Sequence, residues 1–219
     1  ISQDAVNVRK VPNVTTNRKE MKVEENIERI SLNGSDCIIK PQVSLSSYTS
    51  YRVGGPAEWY VAPRSLESLE ASVEYAKEHD LSITVLGAGS NLLIGDDGIP
   101  GLVIATRHMR HANFDSETGM VTFAAGESIP GLAWAAAERG WEGFEWAVGI
   151  PGTIGGAVVM NAGAHNSCIA DILVSAEVLT TEGTLQTLSA EQLNYSYRTS
   201  VLQGRSEEHT SELQSPCNL

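Results

Sequence analysis

Two stretches of this chain consist almost wholly of glycine and other small residues, and both suit a close approach of backbone to ligand. The first runs Val85-Leu86-Gly87-Ala88-Gly89-Ser90-Asn91-Leu92-Leu93. Successive N–H groups in such a turn form a concave anion site, to which Ser90 and Asn91 add side-chain donors. A diphosphate is the natural guest. Taken alone, a glycine-rich turn between two strands is more often only a turn. It also departs from the dinucleotide fingerprint of doubly wound folds, because a strand pattern over Leu92 to Ile94 follows in place of a long helix.

The second stretch is Gly149-Ile150-Pro151-Gly152-Thr153-Ile154-Gly155-Gly156-Ala157, continuing to Asn161-Ala162-Gly163-Ala164. Every glycine costs conformational entropy on folding, so five here call for a reason. Pro151 stiffens the entry and Thr153 can cap a short helix, to which Gly155-Gly156-Ala157 gives a bare face. A bare helix face beside a turn accommodates something flat, such as an isoalloxazine ring with its phosphates. Tight helix-on-sheet packing without a ligand is the alternative. His165 falls inside this stretch and reads as a pocket-wall residue. His79, His108, His111 and His209 show no metal spacing, and no metal site is expected.

The elements that must hold these stretches alternate between helix and strand. Ala57 to Val61 reads as a strand stopped by Pro63, and Ser65 caps a helix whose Leu66, Leu69, Val73 and Ala76 share one face. Ser82 to Leu86 reads as a buried strand, Asp96-Asp97-Gly98 as a turn, Leu102 to Ala105 and Val121 to Ala125 as strands, and Ser128 as the cap of an alanine-rich helix reaching Gly140. Ile172 to Thr180 and Thr184 to Leu188 flank Thr181-Glu182-Gly183 as a hairpin, and Ser189-Ala190-Glu191-Gln192 has the form of a capping box. Many strands are joined by tight turns. The expectation is therefore an α+β fold in two lobes, not a doubly wound parallel sheet.

The chain has 219 residues, 42% of them hydrophobic, and a formal net charge of −12. That charge argues against a nucleic-acid partner, which needs a basic surface. It does not exclude a small anionic ligand held by backbone N–H groups. No apolar run is long enough for a transmembrane helix, and no secretory signal is visible. Three cysteines without metal-type spacing (Cys37, Cys168, Cys217) read as free thiols of a reducing, cytoplasmic compartment. Residues 1–36 read as a flexible leader and 205–219 as a disordered tail of non-native character, because the stretch Arg205 to Pro216 resembles a translated sequencing-library adapter.

The two glycine-rich stretches, in this order and spacing, resemble those of the UDP-N-acetylenolpyruvoylglucosamine reductases. Supporting matches are Thr49-Ser50-Tyr51-Arg52-Val53-Gly54-Gly55, Ala125-Gly126-Glu127 and Tyr197-Arg198-Thr199-Ser200, so that the resemblance covers about 37–204. It implies a two-lobed FAD-binding fold of the vanillyl-alcohol-oxidase (PCMH) type, with lobes at 37–108 and 109–204 and the substrate domain missing. It also implies a place in peptidoglycan precursor synthesis in the cytoplasm, with NADPH as reductant, UDP-N-acetylglucosamine-enolpyruvate as substrate, and no membrane or protein partner. Carried over residue by residue, the cofactor would touch Gly54, Gly55, Leu86, Gly87, Ala88, Gly89, Ser90, Asn91, Leu92 and Gly126. In the second stretch it would touch Gly149, Ile150, Pro151, Gly152, Thr153, Gly155, Gly156, Ala157, Asn161, Ala162 and Gly163. Tyr197 and Arg198 would meet the substrate, with Arg198 as the catalytic cation that stabilises negative charge spreading into the enolpyruvyl carboxylate. The serine that protonates the substrate and a late glutamate belong to sequence beyond Gly204, so the chain is expected to be an incomplete, inactive fragment. One departure is Asn166, where the family usually has glycine; Asn tolerates positive φ and the turn is expected to survive. An FAD-dependent oxidase or dehydrogenase of the same fold acting on an alcohol or sugar is the alternative, and a non-catalytic nucleotide-binding module a third.

Overall fold

The computed structural model describes residues 30–32 and 37–203, with the backbone of 209–210 and 217–218. The expected leader and tail otherwise lie outside the described residues. The first half of the chain builds a five-stranded sheet from β1 (Ile30–Ser31), β2 (Ile38–Ser44), β3 (Pro56–Val61), β4 (Ile83–Leu86) and β5 (Ile99–Ala105), in the order β1-β2-β3-β5-β4. The pairs β3–β5 and β5–β4 are parallel, while β1–β2 and β2–β3 are antiparallel.

Helix α1 (Leu66–Glu78) makes the connection between the parallel strands β3 and β4. The Ser65 hydroxyl accepts from the Ser68 N–H at 3.2 Å, and Leu69, Val73 and Ala76 are fully buried. They pack with Ile39, Val61, Leu102 and Ile104 on one face of the sheet. Val103 and Ala105, alternate residues of β5, join Ala57, Tyr60, Leu86 and Leu45 on the other. Burying Leu69 and Val73 contributes roughly 1.5–3 kcal/mol each, so helix and sheet hold one another in place.

The second half has its own core. Strands β6 (Ala112–Asp115) and β7 (Met120–Phe123) pair antiparallel and lead into α2 (Ile129–Glu138), capped by the Ser128 side chain as expected. After α3 (Ile154–Met160) come β8 (Gly163–Ala164), β9 (Ser167–Cys168), α4 (Ile169–Ile172) and the hairpin β10 (Ser175–Thr180)–β11 (Leu185–Ser189). Val121, Phe123, Ile129, Ile154, Ile169 and Val178 form this second cluster. Two further strand pieces, β12 (His209–Thr210) and β13 (Cys217–Asn218), pair with β10 and β7.

Three local expectations are corrected. Leu92 to Ile94 is not a strand: Ile94 is buried while Leu93 is 76% exposed, and the segment remains irregular. The segment read as a strand from Ile172 starts as helix α4 and becomes strand only at Ser175. Strand β4 is buried only at Leu86, because Ile83, Thr84 and Val85 line a cavity. The Ser189 to Gln192 capping box forms with both reciprocal bonds, Ser189 N–H to Gln192 Oε1 at 2.8 Å and Gln192 N–H to Ser189 Oγ at 3.2 Å. No helix among the described residues is long and apolar enough to cross a membrane.

Candidate functional site

Parallel strands deliver their C-terminal ends to one edge, and the first glycine-rich stretch leaves β4 there. The second stretch comes from the other core and meets it. Ser90 Oγ donates to the Pro151 carbonyl at 3.0 Å across 61 residues of sequence. A methyl group on Gly87 would lie 2.5 Å from the Thr153 hydroxyl. The two stretches thus share a cavity of about 910 Å³.

The glycines divide into two kinds. Gly89 has φ +66°, and a Cβ there would fall 2.1 Å from the Tyr48 carbonyl, so protein packing already demands glycine. Gly155 likewise faces Ala125, whose Cβ would be 2.9 Å from an added methyl. Gly149 is different: nothing lies within 4 Å of its missing side chain, and for Gly156 only the Thr153 hydroxyl does, at 3.6 Å. Both line the cavity. Close packing explains the buried side of α3; open space explains the other.

Around this opening the backbone is held by hydrogen bonds. The Thr153 side chain caps α3, the Ile154 N–H donates to the Glu127 carbonyl at 2.9 Å, and the Gly155 N–H to the Ala125 carbonyl at 2.9 Å. The N–H groups of Ala88, Gly89, Ser90 and Asn91 find no acceptor among the described residues, leaving four donors for a ligand beside the cavity. No Asp or Glu lines it among the described residues, although the chain is acidic overall, and one guanidinium, Arg198, does. Unpaired donors, a cation and an absence of carboxylates fit a diphosphate; open glycine backbone fits a flat ring.

Arg198 occupies a tight turn in which Ser196 and Thr199 exchange both backbone bonds, at 3.1 and 3.2 Å. Its φ is +56°, a conformation usually left to Gly or Asn at this turn position. Its Nη2 donates to the Gly163 carbonyl at 3.1 Å, and the Arg198 carbonyl accepts from the Gln203 side chain at 3.0 Å. The guanidinium therefore stands at the end of α3 over the β8–β9 hairpin.

Of the residues expected at the cofactor, Gly87, Ala88, Gly89, Ser90, Asn91, Leu92, Gly149, Ile150, Pro151, Gly152, Thr153, Gly155, Gly156, Ala157, Ala162 and Gly163 line the cavity. Six expected site residues do not. Gly54 and Gly55 pack on Ile94 and Asp96, Leu86 is buried in the sheet core, and Gly126 lies against the carbonyls of Thr106 and Met109. Asn161, at φ +45°, caps α3, donating to the Ser196 carbonyl at 3.0 Å and accepting from the Ala170 N–H at 3.1 Å. It positions the turn of Arg198 from behind. Tyr197 is 89% exposed and is not among the lining residues, its ring centre 5.8 Å from the Arg198 guanidinium. His165 is also corrected: with Asn166 it forms the exposed corner between β8 and β9, at φ +53° and +65°, so the turn survives and His165 is no wall residue.

Besides Ile83, Thr84 and Val85, the wall residues that sequence reasoning missed include Thr106, Met160 and Gln203, and it missed Arg107, which holds the Ala88 carbonyl. Thr106 was accessible in principle, since it follows β5 at the level where Gly87 follows the paired β4. The others carry no local signal.

A family model described as FAD binding domain matches residues 57–189, more than half of the chain. The chain belongs to the FAD binding domain family. Among its relatives, the UDP-N-acetylenolpyruvoylglucosamine reductase of Nostoc punctiforme is 66% identical over 204 residues, covering 93% of this chain and 61% of that protein. The reductase of the same description from Trichormus variabilis is 64% identical over 206 residues, covering 93% and 62%. The chain thus spans about three-fifths of the length of these relatives. The crystal structure of the Thermus caldophilus UDP-N-acetylenolpyruvylglucosamine reductase superposes with a TM-score of 0.65 at 33% identity, covering 80% of this chain and 61% of that one. A Physcomitrella patens BBE-like 1 protein superposes at 0.60 with 17% identity, over 84% of this chain and 42% of that one, a likeness of fold alone. The FAD-binding family member is therefore an α+β protein of the two-lobed type expected, with FAD as its cofactor.

Proposed function

We propose that this chain forms the flavin-binding part of a cytoplasmic UDP-N-acetylenolpyruvoylglucosamine reductase, an FAD-containing, NADPH-dependent oxidoreductase that reduces the enolpyruvyl group of UDP-N-acetylglucosamine-enolpyruvate. The observation that carries the reading is the meeting of the two glycine-rich stretches at Ser90 and Pro151 around open, carboxylate-free space, in a chain two-thirds identical to a reductase of that description. The lobes would divide at 108/109, with Met109, Ala124 and Leu179 of the second lobe packing into the first core.

In this reading the four unpaired N–H groups of the first stretch hold the diphosphate, and Gly149 and Gly156 admit the flat ring. FAD, when bound, supplies hydride transfer. Arg198 offers a permanently charged, forked donor to the substrate carboxylate, where it stabilises the negative charge that develops as the double bond is reduced. Protonation of the adjacent carbon needs an acid, a part assigned by the resemblance to residues outside this chain.

The test compares the chain as it stands with a chimera that continues residue 203 with the matching remainder of the Nostoc punctiforme relative. The chain alone should bind FAD non-covalently and turn nothing over; the chimera should oxidise NADPH only when the enolpyruvyl substrate is present. NADPH oxidation indifferent to that substrate would defeat the reductase assignment. Flavin that stays with the protein after acid precipitation would favour the oxidase alternative.

A further inference from the structure

Arg107 follows β5 and reaches back to the first glycine-rich stretch without lining the cavity. Its Nη2 donates to two carbonyls, Tyr48 at 3.0 Å and Ala88 at 3.3 Å, and its guanidinium lies 5.1 Å from the centre of the Tyr48 ring. The Tyr48 carbonyl is the group against which Gly89 is packed, and the Gly89 carbonyl in turn accepts from the Ser50 N–H at 3.0 Å. One side chain therefore ties segment 48–50 to the loop. Its Nε is buried without a hydrogen-bond partner. No carboxylate neutralises it among the described residues. Arg110, whose Nε donates to the Arg107 carbonyl at 3.1 Å, adds like charge. Burial first, then the charges of Arg64, Arg107 and Arg110, hold the pKa of nearby His108 low, as expected where cations gather without partners.

A trans peptide points its N–H opposite to its C=O, and the described chain has no cis bond. With its Ala88 carbonyl held by Arg107, the peptide turns the Gly89 N–H away from that guanidinium. Resting on the flavin reading above, we propose that Arg107 is the positioning residue of the phosphate loop: it aims the Ala88–Gly89 peptide at the diphosphate and sets a fixed positive charge behind it. The single Nη2 meets both carbonyls, its N–H bonds fixed in the guanidinium plane; a lysine offers the charge without that fixed planar geometry.

FAD affinity is measured by flavin fluorescence across a salt series for the unsubstituted chain, Arg107→Met and Arg107→Lys. Arg107→Met should bind FAD about tenfold more weakly, since a lost charged hydrogen bond is worth roughly that factor, and its affinity should depend less steeply on salt. Arg107→Lys should keep the salt dependence while recovering only part of the affinity. Arg107→Met affinity within twofold of the unsubstituted chain overturns the proposal, as does weaker binding with an unchanged salt dependence, the mark of a purely structural staple. Should far-UV circular dichroism show Arg107→Met unfolded, Arg107→Lys decides: weaker binding with the salt dependence kept supports the proposal, while affinity within twofold of the unsubstituted chain, or a lost salt dependence, overturns it. An unsubstituted chain that binds no FAD at any salt would defeat the flavin reading itself.

Discussion

At the scale of single residues, the most telling is Arg198, which holds φ +56° where glycine would cost nothing. A non-glycine residue in that region costs on the order of 1 kcal/mol or more, and such residues gather at functional sites. The Arg198→Gly variant relieves the strain but loses one exposed bond to the Gly163 carbonyl. Its melting temperature should therefore correspond to a stability within about 1 kcal/mol of the original. Turnover by the chimera should nonetheless collapse, separating the residue's function from the fold. Gly89 teaches the reverse lesson. Glycine is required there by the Tyr48 carbonyl, so a Gly89→Val variant should lose stability as well as flavin, a double effect that sequence alone did not reveal. His108 has its pKa depressed, by burial first and then by Arg64, Arg107 and Arg110. The unfolded chain therefore takes up that proton more readily, and stability should fall as pH drops through the usual 6.5 toward the lower folded value. Thermal melts at pH 7.5 and 5.5 should show that fall, and His108→Gln should flatten part of it. Asp115, held low by the Thr118 hydroxyl and the Glu117 N–H, acts in a separate window below 3.8.

At the scale of elements, α3 shows why the site was only partly legible. Thr153 as cap and the glycine pair were readable from sequence, because capping chemistry and side-chain absence are local. Which glycine serves packing and which serves the cavity is a tertiary fact: Gly155 is covered by Ala125, while Gly156 is exposed. Replacing Gly156 with Ala should stabilise the free chain by up to about 1 kcal/mol, as glycine is the poorer helix residue. The same methyl should weaken FAD binding. Thermal melts without and with FAD check the pair of signs; a variant more stable in both conditions would show that α3 does not face the flavin. Strands failed where local pattern competed with context. Leu92 to Ile94 has the right composition for a strand, yet only Ile94 finds a core to bury in. The α4 turn after Cys168 is too short for periodicity to betray it.

At the scale of the whole molecule, the α+β character was readable because helices and strands alternate while tight turns join many strands. The sheet order β1-β2-β3-β5-β4 was not, since pairing between distant strands leaves no local trace. Nor could sequence reveal that two cores, one over α1 and the sheet and one around α2 and α3, would bring stretches 61 residues apart into hydrogen-bond contact. That contact is the centre of the account, and amide hydrogen exchange tests it most directly. On addition of FAD, exchange should slow together at 87–92 and at 149–163, while the turns at 115–119 and 180–184 keep their rates. Slowing in one stretch without the other, or in neither, would contradict a shared flavin cavity.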